Sequence, residues 1–350
     1  MNMNEHRNTF LLTIATAFLA HGVVSFVSNQ AVATPGLVDV PYIAPPVEER
    51  IAKPATSTPA KASFPKLGKG KSIDLAFCID TTGSMSAEIE TVKAQVKSIV
   101  AKLNHGQSTK RVRVALVAYR DKGDDYVTKV IPFSSDVDKF TKDISDLNAD
   151  GGGDGPEAVD KGVHAALNEL SWDREKNTAK VLYVIGDAPP HFEPSDYSLY
   201  TEARDASTKG ISISTISCGD LNSYGNQGEE AFKQLALMTN GHFQPLSYQQ
   251  EIVDASGKHT SLITAGGKTY ALKEGSKADW KDGAEALVAS GAAVECGSAP
   301  MLQGATCGTI GPQGCDATVI CGVNTAGTVR TNNNLGEMMF QDALNALSAK

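Results

Sequence analysis

The sequence predicts an α/β fold: a doubly wound, mostly parallel six-stranded sheet with one antiparallel edge strand, followed by a small Cys-containing C-terminal region. Three observations point there. Strand-like apolar runs alternate with helical segments from Ser72 to about residue 255, the pattern of a parallel sheet covered on both faces. One run, Val181-Leu182-Tyr183-Val184-Ile185, is apolar without a break, as a central strand buried on both sides requires. The charged turn Arg120-Asp121-Lys122-Gly123-Asp124-Asp125 is too short for a crossover helix, so the strands it joins run antiparallel.

The elements follow in order. Strand one covers Ile73–Ile79. Met85, Ile89, Val92, Val96, Ile99 and Leu103 then recur at spacings of four, three, four, three and four, one face of a long helix. Val112, Val114, Leu116 and Val117 mark the next strand, and Tyr126–Phe133 its hairpin partner. Val137, Phe140, Ile144 and Leu147 mark a short helix. The loop Asp150-Gly151-Gly152-Gly153-Asp154-Gly155-Pro156-Glu157 follows, with Pro156 suited to the first turn of a helix through Val159, Val163 and Leu167. The central strand ends at Gly186-Asp187. A helix around 197–209, a strand Ile211–Ser217, a helix around 229–239 and a short strand near His242–Phe243 complete the series.

The flanks read differently. Arg7, the apolar stretch Phe10–Ala20 and the small-x-small triplet Ala31-Val32-Ala33 define residues 1–33 as a secretory signal, with an uncleaved membrane anchor as the alternative. Residues 34–71 form a Pro/Ala/Lys-rich linker. Residues 262–350 are rich in Gly, Ala, Ser and Cys, with helical periodicity only at Leu335–Leu347; they form a small appendage or an extension packed onto the main domain. The protein is expected to be secreted, extracellular or periplasmic, which permits disulfides. Cys78 and Cys218 lie in strand-like segments and read as buried thiols, whereas Cys296, Cys307, Cys315 and Cys321 are disulfide candidates with three pairings open. No Cys-x-x-Cys pair supports zinc. A net charge of −8 offers no basic stripe, so nucleic acid is not an expected partner.

Ligands of an open parallel sheet collect outside the carboxyl ends of its strands. Three carboxylate-bearing loops fall there: Asp80-x-Thr82-x-Ser84, the Asp154–Glu157 loop, and Asp187. Carboxylates and hydroxyls together suit a hard divalent cation. A helix cap would explain Asp80 or one hydroxyl, but not Asp187 on a distant loop as well.

Over residues 72–255 these residues resemble a von Willebrand factor A domain with its metal-ion-dependent adhesion site. The family's Asp-x-Ser-x-Ser motif is met by Asp80, Thr82 and Ser84, with Thr82 a hydroxyl-conserving departure, and its last metal-site Asp matches Asp187. Where many members carry a Thr, this chain has Gly153 and Asp154. The run is similar to the Asp-x-Pro-Glu loop of integrin β-subunit domains, which implies Glu157 as the third-loop ligand and Asp154 as a helper or adjacent-site residue. The resemblance implies Mg²⁺ (or Mn²⁺ or Ca²⁺), an Asp or Glu of a protein partner completing its coordination, and no catalysis. His191 and Glu193, after Asp187, are candidates for a partner-binding rim, with an ordinary surface loop as the alternative; Asp121 is counted with that rim, although it, Asp124 and Asp125 read more simply as solvated turn residues.

Two other functions compete. A strand followed by Asp-x-Thr is similar to haloacid-dehalogenase phosphatases, a metal-dependent phosphohydrolase with Asp80 at its centre. That pattern needs a second Asp where Thr82 stands, so its proton donor is missing. The other makes the domain a structural spacer with a vestigial metal site.

Overall fold

The computed structural model describes residues 71–105, 109–153, 155–192, 198–225, 227–253, 259–298, 307–309, 319–321 and 333–348. The expected signal, nearly all of the linker, Asp154, Glu193 and Cys315 lie outside them.

Strands β1 (Lys71–Asp80), β2 (Thr109–Tyr119), β3 (Thr128–Ser134), β4 (Thr178–Gly186), β5 (Ser212–Ser217) and β6 (Phe243–Pro245) form one sheet in the order β3-β2-β1-β4-β5-β6. β2 pairs antiparallel with β3 alone; every other neighbouring pair is parallel. The fold is the α/β arrangement expected, with the antiparallel strand at one edge.

Alternation along β1 divides the core in two, because successive side chains of a strand point to opposite faces. Ile73, Leu75, Phe77 and Ile79 pack with α1 (Ile89–His105) and α2 (Val137–Ser145). Ala76 and Cys78 pack on the other side with α3 (Val159–Asn168), α4 (Leu199–Lys209) and α5 (Gly228–Met238). The helix ends are set locally: Asp136 caps α2 by accepting from Lys139 N at 2.9 Å, and Ser198 and Thr201 form a capping box at α4. The helical spacing that begins at Met85 becomes α-helix only at Ile89, after a 3₁₀ turn at Gly83–Ala87.

The C-terminal part holds more order than its composition suggests. β7 (Ser247–Val253), β8 (His259–Ala265), β9 (Lys268–Leu272) and β10 (Ala293–Ser298) form an antiparallel sheet in the order β10-β9-β8-β7. With α6 (Ala284–Ala289) it encloses a small core of Ile263, Tyr270, Trp280 and Leu287. Short β8 and β9 are rich in Thr, Ser and Ala, which blurs the apolar alternation. The Gly266-Gly267 turn, both residues at positive φ (54° and 72°), is the hairpin signal in that stretch. β11 (Cys307–Thr309) and β12 (Val319–Cys321) place Cys307 opposite Cys321. Cys296 is disulfide-bonded, while Cys78 and Cys218 are free thiols.

The last helix, α7 (Leu335–Ser348), does not stay with that sheet. Leu335, Met339, Ala343 and Leu347 enter the same core as Phe77 and Tyr183, and Tyr183 OH donates to Met339 O at 2.6 Å. The far end of the chain therefore covers one face of the large sheet. Among the described residues no helix is long and apolar enough to cross a membrane.

Candidate metal centre

β1 and β4 are neighbours in the sheet, so the residues that end them, Asp80 and Gly186-Asp187, emerge side by side. Asp80 is fully buried. Its Oδ1 accepts from Thr82 N at 2.8 Å and from Thr82 Oγ1 at 2.7 Å. Thr82 Oγ1 lies 3.1 Å from Ser84 Oγ, which donates to Asp187 Oδ1 at 3.0 Å. The motif is thus a continuous chain of oxygens from β1 to β4. Thr82, at the cap position of the 3₁₀ turn, makes no side-chain capping bond. These oxygens are turned towards one another instead of serving helix amides, so a simple helix-capping role does not describe the motif.

The Gly-rich loop closes the other side. Asp150 N donates to Thr81 O at 3.0 Å and Gly83 N to Gly151 O at 3.1 Å. Glu157 is held by its amide to Pro189 O at 2.9 Å and is buried. A Cβ added at Gly152 would lie 3.1 Å from Glu157 Oε1 and 3.3 Å from Thr82 Cβ, so both side chains converge on that glycine. Gly152 also sits at φ +75°. Gly152→Ala is expected to cost about 1–2 kcal/mol in backbone strain and to push Glu157 away from Thr82. Divalent titration of this variant should show weakened binding with the circular dichroism of the fold retained.

The turn after β2 works as a brace. Arg120 is buried, stacks 4.6 Å over the Tyr126 ring, and donates to Thr81 O at 3.1 Å and Asn148 O at 3.0 Å. The Asp124 carboxylate accepts from Gly152 N at 2.9 Å and Asp121 N at 3.0 Å. The expectation of solvated turn acids is corrected here. Asp121 is buried and paired with His191 at 2.7 Å, Asp124 anchors the Gly-rich loop, and Asp125 alone of the three is exposed. As a rim, His191 and Asp121 offer little free surface, since each side chain is about nine-tenths covered (10% and 8% exposed).

Among the described residues no basic side chain lines the site. Burial, then the nearby Asp187 carboxylate, pushes the Asp80 carboxyl up to about 7. Burial, with Asp80, Asp121, Asp124 and Asp187 around it, pushes Glu157 up to about 9. Asp187 is raised by burial, against the lowering effect of the Ser84 bond. Asp80 Oδ2 and Glu157 Oε2 are buried with no hydrogen-bond partner among the described residues. Such orphaned oxygens are costly unless something absent from the protein chain satisfies them. The donor set is hard oxygen throughout, and it fits Mg²⁺, Mn²⁺ or Ca²⁺. No three of the described His, Cys, Asp and Glu residues converge as a metal cluster, so any cation here would also draw on the hydroxyls of Thr82 and Ser84.

Thr82, Ser84, Glu157 and Asp187 line one open cleft of about 420 Å³, with Asp80 buried behind Thr82. The cleft also takes in Gly219, Asp220, Ser223 and Tyr224 from the loop after β5. That loop was not among the three identified from sequence. Its position at another parallel strand's carboxyl end was the available signal.

An open α/β sheet with an oxygen-lined cleft at its carboxyl edge belongs to the class of ligand-binding doubly wound domains. The family model described as "von Willebrand factor A domain" matches residues 74–247, and the chain carries a domain of that family, whose members are typically adhesion and protein-interaction modules. Among curated proteins, "Alpha-protein kinase vwkA" of Dictyostelium discoideum is 29% identical over 134 residues, 37% of this chain and 21% of that protein. "von Willebrand factor A domain-containing protein 7" of Homo sapiens is 36% identical over 93 residues, 27% of this chain and 10% of that protein. The chain therefore spans about a fifth or less of these relatives' length. Among solved structures, proximal thread matrix protein 1 of the mussel byssus, with a zinc-occupied MIDAS motif, is 16% identical, has a TM-score of 0.38, and is matched over 52% of this chain and 42% of its own.

Proposed function

We propose that this protein is a non-catalytic, divalent-cation-dependent protein-binding module, exported from the cell. Asp80, Thr82, Ser84, Glu157 and Asp187 would hold Mg²⁺ (or Mn²⁺ or Ca²⁺), with Asp154 adjacent, and an Asp or Glu of the partner would complete the site. The ion would supply a positive charge and an open coordination position. The chain's own residues do the rest: the hydroxyls of Thr82 and Ser84 orient two carboxylates, and the Gly-rich loop leaves one side accessible.

The observation that carries this reading is a pair of buried oxygens, Asp80 Oδ2 and Glu157 Oε2, with no hydrogen-bond partner among the described residues, beside an open cleft. A phosphohydrolase is less well supported, because Thr82 Oγ1 donates to Asp80 where a proton-delivering acid would be needed. The sequence of residues 1–33 supports export, and the disulfide at Cys296 suits an oxidising compartment.

The test combines calorimetry of the full chain with Mg²⁺ and Mn²⁺ and capture of proteins from the native medium or envelope. Expected are micromolar-to-millimolar divalent binding and capture reversed by EDTA, both lost in Asp187→Ala. Absence of divalent binding favours a spacer. Turnover of a generic phosphate ester that Asp80→Asn abolishes favours the enzyme.

A further inference from the structure

The last residue of β2, Tyr119, is fully buried, and the oxygen chain from β1 to β4 does not include its hydroxyl. In the register of the sheet Tyr119 is the partner of Asp80. Alternation puts both on one face. Asp80 follows Ala76 and Cys78 along β1, and Tyr119 follows Ala115 and Val117 along β2 into the core covered by α3. The main chain of Tyr119 already holds the Asp80–Ser84 loop, since Tyr119 O accepts from Thr81 N at 2.9 Å and from Thr81 Oγ1 at 3.0 Å.

Two glycines make room for the side chain. A Cβ added at Gly162, inside α3, would lie 2.9 Å from Tyr119 Cδ1. Glycine weakens a helix interior, and here its missing side chain lets the helix pass over the ring. A Cβ added at Gly186, at the end of β4, would strike Tyr119 OH and lie 3.3 Å from Asp80 Oδ2. The hydroxyl and the second Asp80 oxygen thus border one point. Neither has a hydrogen-bond partner among the described residues. A buried hydroxyl without a partner is unfavourable, and a Phe would fill the ring space without that cost. The two groups are complementary: a phenol donates and a carboxylate oxygen accepts. Thr82 already engages Asp80 Oδ1 twice, so Oδ2 is the oxygen left to be held.

We propose that Tyr119 is a positioning residue of the cation centre: its hydroxyl is the donor for Asp80 Oδ2 and, with Thr82 on Oδ1, fixes the orientation in which the carboxylate serves the ion. This rests on the divalent binding proposed above. Tyr119 itself binds no metal. Groups that hydrogen-bond a ligating carboxylate set its orientation, and their loss lowers metal affinity about 10–100-fold. Gly186 belongs to the same device, because it leaves the hydroxyl its place beside Asp80.

The experiment measures Mg²⁺ affinity of the full chain by calorimetry, with thermal melts in EDTA alongside. Tyr119→Phe is expected to bind Mg²⁺ at least about tenfold more weakly and to melt no lower than wild type. Two double variants separate the hydroxyl from the space it fills. Tyr119→Phe with Gly186→Ser returns a hydroxyl beside Asp80 Oδ2 from β4, whereas Tyr119→Phe with Gly186→Ala returns only a methyl group. The Ser variant is expected to bind Mg²⁺ several-fold more tightly than the Ala variant. Wild-type affinity in Tyr119→Phe, or equal affinity in the two double variants, overturns the assignment and leaves the cation-binding reading standing. A melt of Tyr119→Phe well below wild type makes the hydroxyl a packing group and also overturns it. Wild-type protein that binds no divalent ion overturns both readings.

Discussion

Asp80→Asn is expected to abolish Mg²⁺ binding and, in the same protein, to raise the thermal stability of the metal-free form at pH 8. The two effects share one cause. Asp80 is fully buried and its Oδ2 has no hydrogen-bond partner among the described residues, so an added positive charge would offset the cost of its ionised form. Without that charge, the rise of its carboxyl from 3.8 to about 7 represents about 4 kcal/mol of differential stability. The sign follows from the direction of the shift. A carboxyl raised in the folded state contributes stability that is fully present below its unfolded value and is lost as pH rises through its folded value. Metal-free protein should therefore lose stability from about pH 4 to pH 7, and Glu157, raised to about 9, prolongs the loss into alkaline solution. An Asn keeps an oxygen for Thr82 and removes the buried charge. We expect it to recover about 2 kcal/mol, or roughly 4–8 °C in Tm. Thermal melts in EDTA between pH 4 and 9 should show the slope in wild type and a shallower one in Asp80→Asn, and saturating Mg²⁺ should flatten the wild-type profile. Divalent affinity should fall at least ~100-fold, the upper range for loss of even an outer-shell group. Unchanged Mg²⁺ affinity in this variant would remove Asp80 from the site.

Truncation after residue 334 is expected to destroy cooperative folding of the large sheet. The physical reason lies in α7, whose Leu335, Met339, Ala343 and Leu347 are almost fully buried against the face that carries Phe77 and Tyr183. Removing the helix would uncover the stacked Phe77 and Tyr183 rings, 5.5 Å apart, and leave the buried Tyr183 hydroxyl without its acceptor. A single change should already be costly: Met339→Ala is expected to lose about 2–5 kcal/mol, the range for emptying a packed core position. Urea unfolding followed by tyrosine fluorescence measures both. A chain ending at residue 334 that unfolds at the wild-type midpoint would show that the helix only decorates the domain.

The strongest sequence signals were those whose cause is local. From Ile89 to Leu103 the predicted spacing became α1, with Met85 left in the preceding 3₁₀ turn, and the unbroken Val181–Ile185 run became part of β4 at the centre of the sheet. The oxygen motif was legible because its members are two residues apart on one turn. Arg120 and Asp124 were harder to read. A charged hexapeptide normally marks a solvated turn, and only the tertiary fold brings Thr81 O and Asn148 O to Arg120 and the Gly152 amide of the Gly-rich loop to Asp124. The loop after β5 gave no signal of its own, since only the tertiary structure sets Tyr224 against Gly155 and Gly219 against Asp187.

Composition, periodicity and turn chemistry by themselves determined the α/β class, the antiparallel edge strand and the three acid-bearing loops, because each depends on residues close together along the chain. Tertiary structure alone decided which oxygens meet, that the loop after β5 shares their cleft, and that a helix from the end of the chain completes the core begun by β1. Those outcomes depend on which apolar face finds which, over separations such as the 156 positions between Tyr183 and Met339, and no local pattern encodes that choice.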